Sequence, residues 1–90
     1  MLDLSRDARD FLSDLQAKQF KQVTSKIHDL LRDPFPADAK HLAGHPGFRR
    51  IDSGEFRVCY KVNDKIICVV VVGKRNDDEV YRDFSRAGRV

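Results

Sequence analysis

The stretch from residue 56 to residue 72 constrains the fold of this chain more than any other part. Phe56, Val58, Tyr60 and Val62 alternate with Arg57, Cys59 and Lys61, and after a short polar break Ile66 to Val72 is apolar without interruption. Alternation with period two describes a strand with one buried and one wetter face, whereas a continuous apolar run describes a central strand covered on both faces. Asn63-Asp64 between them suits a two-residue hairpin turn, although the usual glycine is missing. Counting outward from that turn sets Val62 opposite Lys65 and Cys59 opposite Cys68, a non-hydrogen-bonded pair with Cα atoms about 4.5 Å apart. In a reducing cytoplasm two such thiols are expected to stay free and pack as small apolar groups, with a cross-strand disulfide only under oxidation.

A sheet built on this hairpin needs a cover, and the first third of the chain supplies it. After a short apolar start at Met1, Leu2 and Leu4, Ser5 offers an N-cap and Asp7 an acid in the first turn. Ala8, Phe11, Leu12 and Leu15 then fall at helical spacing, giving a helix over about Arg6 to Leu15. The same period resumes with Phe20, Val23, Ile27, Leu30 and Leu31 and stops before Pro34 and Pro36. The expectation is a helical hairpin, then a loop from Pro34 to Pro46 anchored by Leu42, a short strand from Phe48 to Ile51, and the two long strands. With 90 residues this is one domain, residues 1–90, with room for one core. The chain has no apolar run of eighteen residues, and Asp3, Arg6 and Asp7 stand where a signal peptide would be apolar, so it reads as soluble and cytoplasmic, with no membrane partner.

Charge is distributed unevenly. Residues 1–39 hold six basic and seven acidic side chains; residues 40–90 hold eleven and seven. The basic excess lies with the strands, which favours a polyanion-binding face there over a diffusely basic surface. Other chemistries find no support: no Walker or dinucleotide loop, no G-x-S-x-G, and two cysteines without C-x-x-C spacing. His41 and His45 stand four apart, but Gly44, Pro46 and the lack of a third ligand argue against a metal site. No metal and no small-molecule cofactor is expected.

The arginines remain. Cleaving RNA through its own 2′-hydroxyl requires a group to take that proton, a cation to stabilise the phosphorane, and a group to protonate the leaving 5′-oxygen. Arginines and lysines around a tyrosine can substitute for histidine, because nearby positive charge lowers the phenol pKa and holds phosphate oxygens. Arg57 on the middle strand, Arg75 just past the next and Tyr81 one short loop further on could share such a site. Ordinary ion pairs account for the same residues: Arg57 with Glu55 or Asp52, Arg75 with Asp77 or Asp78, and Tyr81 as a lid on the core.

The pattern F-R-R-I-D-S-G-E-F-R-V-C-Y, followed by V-V-G-K-R-N-D-D-E-V-Y, resembles the RelE/ParE superfamily of bacterial toxin–antitoxin systems, nearest its RelE branch. The likeness extends over essentially the whole chain, including D-P-x-P before L-A-G-H-P-G; its most specific parts are G-E-F-R-V-C-Y and G-K-R-x-x-x-E-V-Y. It implies an α+β fold: a small antiparallel sheet of about four strands with the N-terminal helical hairpin packed on one face, and room for a short C-terminal helix. It also implies a metal-independent endoribonuclease that cuts mRNA in the ribosomal A site, with a cognate antitoxin, the ribosome and mRNA as partners. By this resemblance Arg57 contacts the scissile phosphate, Arg75 stabilises the transition state or leaving group, and Tyr81 stacks on the base or assists proton transfer. Arg49, Arg50 and Lys74 would hold RNA. The RelE branch has two lysines on the strand where this chain has Arg49 and Arg50, and arginine is a poor proton acceptor, which puts the identity of the base in doubt. Two alternatives stand beside this: a ParE-like toxin that inhibits DNA gyrase without nucleolytic chemistry, and a degenerate toxin acting only in antitoxin complexes.

Overall fold

A computed structural model of the chain describes residues 1–74. Its elements follow the order β1 (Leu2–Leu4), α1 (Arg6–Ser13), α2 (Ala17–Asp29), β2 (Lys40–His41), β3 (Phe48–Ser53), β4 (Phe56–Asn63) and β5 (Ile66–Lys74). The strands form one sheet in the order β1-β5-β4-β3-β2. The expected α+β architecture, with both helices on one face, is what the chain adopts. The sheet has five strands rather than about four, and it is mixed, because β1 runs parallel to β5 while every other pair is antiparallel. Met1 and Ser5 lay β1 along that edge: the Ile67 amide donates to the Met1 carbonyl and the Ser5 amide to the Val69 carbonyl, each at 2.9 Å. The extra antiparallel strand is β2, two residues inside what the sequence presents as a loop.

Ser5 caps α1 as its position suggests, its hydroxyl oxygen accepting from the Ala8 amide at 3.0 Å. The helix ends at Ser13, two residues early, but Leu15 still packs on the core. In α2 the buried positions are Val23 and Ile27, continued by Leu30 at the C-cap; Phe20 and Leu31, at the margins of the apolar stripe, remain exposed. Beneath the helices lie Ile51 of β3, Phe56, Val58 and Tyr60 of β4, and Ile67, Val69 and Val72 of β5, with Ala8, Leu12, Val23, Ile27 and Leu30 above them. The Phe11 ring meets Phe56 edge-on at 5.8 Å and 73°.

Two features of the β4–β5 hairpin correct the register expected from the sequence. The turn is Asp64-Lys65, one residue later than Asn63-Asp64, since Asn63 pairs with Ile66 and Asp64 takes the positive φ of 60°. Further along, Tyr60 pairs with Val69 but Cys59 pairs with Val71, so Val70 is an extra residue, a β-bulge. Cys59 therefore faces Val71 and Cys68 faces Lys61; the two cysteines are not opposite, and both are free thiols. The bulge also explains the unbroken apolar run. Val69 and Val72 both point under the helices although they are three apart, and Val71 points the other way, where it forms a small second cluster with Cys59 and Leu42. Apart from that cluster, β5 is not covered on both faces, since Ile66, Cys68 and Val70 are half-buried.

The Ser5 hydroxyl donates to the carbonyl of Val70, the bulged residue itself. One side chain thus caps α1 and satisfies the irregular point of β5. Ser5→Ala should therefore lower stability by about 2 kcal/mol, at the upper end of N-cap losses, read as a fall in the urea midpoint without a change in slope. A loss under about 0.5 kcal/mol, the range of ordinary surface changes, would show that the bulge holds without it.

Candidate RNA-binding face

Among the described residues the helices cover one face of the sheet, while on the other, the open face, only the small cluster of Leu42, Cys59 and Val71 is buried. The surroundings of each strand residue therefore depend on its parity. Residues opposite one another in an antiparallel pair share a face. From the core positions Val58 and Tyr60, the helix side takes Arg49, opposite Tyr60, while the open side takes Arg50, opposite Cys59, and Arg57, opposite Asp52. Lys40 of β2 lies opposite Arg50, and Lys61 lies opposite Phe48 with its ammonium 5.4 Å from the ring centroid. The open face thus carries Lys40, Arg50, Arg57 and Lys61, relieved by Asp52. Arg50 and Arg57 are diagonal neighbours on β3 and β4, a spacing of about 7–8 Å that lets two long side chains reach one phosphate.

Arg57 is held rather than loose. Its Nε donates to Asp52 Oδ1 at 2.9 Å and its Nη2 to Oδ2 at 3.4 Å. The pair is half-buried, with 14% of the Arg57 side chain and 34% of the Asp52 side chain exposed. Of the two partners the sequence offers Arg57, the structure selects Asp52; Glu55 instead accepts from Gln19 Nε2 at 3.1 Å. On the β5 side Arg57 faces Gly73, which sets no side chain beside it.

The residues expected to bind RNA divide between the two faces. Arg50 joins Arg57. Arg49 does not: its guanidinium stacks on the Phe35 ring at 4.6 Å, on the helix side, beside the loop that follows α2. Lys74, exposed at the end of β5, pairs with Phe56 and so takes the helix-side parity. Arg75 and Tyr81 lie outside the described residues. Lys40 and Lys61 belong to the open face and were not singled out by the sequence reading; counting by two from Arg57 reaches Lys61, but Lys40 becomes visible only with β2.

Tyr60 is no part of this face. It is fully buried under the helices and its hydroxyl donates to the Pro34 carbonyl at 2.9 Å. Burial pushes its phenol pKa up, against the opposing pull of Arg49. The chain's other tyrosine, Tyr81, lies outside the described residues. Among the described residues no group of three or more His, Cys, Asp or Glu is placed to hold a metal ion, and no helix is long and apolar enough to cross a membrane.

Comparison with known proteins bears on the family and the fold. The family model for the ParE toxin of type II toxin–antitoxin systems matches residues 2–79. Among solved structures, a mutant of the E. coli toxin RelE in the free state is similar, with TM-score 0.79 and 27% identity over 96% of this chain and 94% of that one. The toxin of the intact E. coli RelBE toxin–antitoxin complex gives TM-score 0.71 and 27% identity over 82% and 94%. The archaeal RelE–RelB complex from Pyrococcus horikoshii gives TM-score 0.71 at 23% identity, over 82% and 92%, a likeness of fold. No curated protein matches the sequence.

Cys59 lies beneath the basic face, between Arg50 and Arg57. Burial pushes its thiol up to about 11, outweighing the arginines, which pull it down. The thiolate is the reactive form, so at pH 8 Cys59 should be inert while half-buried Cys68 alkylates. Mass spectrometry of the native chain treated with iodoacetamide should show one adduct, at Cys68, and two after unfolding; a native adduct at Cys59 would contradict the burial of that strand.

Proposed function

Because the chain belongs to the ParE toxin family of type II toxin–antitoxin systems, we propose that residues 1–90 form a single toxin domain that acts as a ribosome-dependent mRNA endonuclease in the cytoplasm. The observation that carries this reading is Arg57 on the uncovered sheet face, oriented by Asp52 and accompanied by Arg50 and Lys61. Such a surface suits a phosphodiester, since it sets several cations side by side.

In the proposed reaction the ribosome presents the mRNA in an ordered geometry, which a small basic domain cannot impose alone. Arg57 holds the scissile phosphate and stabilises the charge that develops on it when the 2′-oxygen attacks. Arg50 holds an adjacent phosphate rather than taking the proton, because guanidinium stays charged. Arg75 stabilises the transition state or the charge on the leaving 5′-oxygen. Tyr81 stacks on the base or assists transfer of the proton lost by the 2′-hydroxyl to the 5′-oxygen as the bond from phosphorus to that oxygen breaks. Lys74 would reach RNA from the end of β5. Arg49, stacked on Phe35, is better suited to ribosomal RNA or to the antitoxin than to the scissile phosphate.

A cognate antitoxin is the protein partner. The solved toxin–antitoxin complex of a similar E. coli chain supports this, and an otherwise disordered acidic segment would complement the open face. A second reading follows from the matching family model, which is that of ParE rather than RelE: a binding toxin that inhibits DNA gyrase and needs no nucleolytic residues.

Primer extension on a translated message, with the chain added to programmed ribosomes and separately to naked RNA, tests this directly. The expected result is cuts at the A-site codon only with ribosomes. Arg57→Ala, Arg75→Ala and Tyr81→Phe should each reduce cleavage about 100-fold or more and abolish growth arrest, with antitoxin binding retained in Arg75→Ala and Tyr81→Phe. No cleavage in either tube, with inhibited supercoiling in a gyrase assay, would transfer the assignment to the ParE-like reading.

A further inference from the structure

An acidic side chain in the middle of a surface meant for RNA is a liability, since it repels the phosphates that the surface must attract. Asp52 is such a residue. It lies directly opposite Arg57 on the open face, next to the turn that joins β3 to β4. Ser53 and Phe56 close that turn, which makes Asp52 and Arg57 the following non-hydrogen-bonded pair, the one whose side chains approach most closely. Its carboxylate grips the Nε–Nη2 edge of the guanidinium through two contacts, at 2.9 and 3.4 Å. A guanidinium held by one edge has a fixed plane.

The base of this pair is itself fixed. The turn residue Gly54, at φ +60°, sits so close to α2 that an added Cβ would meet Gln22 Nε2 at 2.9 Å. Gln19 donates to Glu55, and Ser53 Oγ donates to the Gln22 carbonyl at 3.4 Å. The hairpin tip is therefore tied to the helical layer on one face while presenting Asp52 and Arg57 on the other.

We infer that Asp52 is a positioning residue for the reaction proposed above, setting the guanidinium plane of Arg57 toward the scissile phosphate at some cost in attraction for RNA. The inference rests on the endonuclease reading. It distinguishes itself from a merely structural ion pair by separating binding from turnover: removing the charge strengthens the attraction for RNA while the reacting phosphate loses its oriented cation.

Single-turnover cleavage on programmed ribosomes should compare the wild type with Asp52→Asn and Asp52→Glu, each first checked for a cooperative thermal transition. For Asp52→Asn the half-saturating concentration should stay the same or fall by up to about threefold, while the cleavage rate falls about 10–100-fold, as expected for a misaligned catalytic group. Asp52→Glu, which keeps the charge one methylene further out, should recover part of the rate. A wild-type rate in Asp52→Asn, or weaker binding at unchanged rate, overturns the positioning role. A faster rate does so too, and would mean that the carboxylate obstructs the phosphate. Should Asp52→Asn not fold, Asp52→Glu decides: a reduced rate at unchanged half-saturation supports the inference, and a full wild-type rate overturns it. A wild-type chain that cuts nothing removes the endonuclease reading and this inference together, whereas wild-type cleavage with an unaffected Asp52→Asn removes the inference alone.

Discussion

The bulge at Val70 governs how this sheet divides its side chains. One extra residue reverses the parity of β5, so that a single apolar run feeds the core below the helices at Val69 and Val72 and the smaller cluster on the opposite face at Val71. It also fixes what stands beside Arg57. Past the bulge, Arg57 pairs with Gly73 on the β5 side and with Asp52 on the β3 side, where the carboxylate grips its guanidinium. The hydroxyl of Ser5 holds both the bulge carbonyl and the start of α1, so the helical layer and the open face share one anchor.

Two helices are enough to cover one side of a five-stranded sheet and no more. The side under the helices collects most of the branched and aromatic residues, and the other side, apart from the Leu42, Cys59 and Val71 cluster, presents long cationic side chains whose stems shield part of the sheet. Phe48 under Lys61 is an instance. An exposed ion pair contributes little to stability unless its geometry is close to ideal. Asp52 and Arg57, half-buried and bidentate, are such an exception, and their geometry also fixes the guanidinium plane.

Much of this was legible in the residues. The N-cap at Ser5, the spacing of Ala8, Leu12, Val23 and Ile27, and the prolines that end the helical part specify the cover without ambiguity, because each depends on local chemistry. The α+β class and the superfamily followed from the motif around Arg57. What local chemistry does not determine is register. Asn63-Asp64 and Asp64-Lys65 both present a polar pair to a turn, and four consecutive valines conceal a bulge because none of them marks the change of face. The error moved Cys59 from Val71 to Cys68. It did not touch Arg49 and Arg50, which are adjacent and identical in type; only the pairing of β3 with β4 shows that they serve opposite sides.

The outer strands of the sheet are very short. β1 has three residues and β2 has two, one of them Lys40. Unpaired backbone at a sheet edge is a template for adding further strands, and brevity with a charged side chain is a common defence against it. Edges this short, one of them carrying Lys40, offer little backbone for a second chain to extend, so the described sheet resists growth by strand addition at either side.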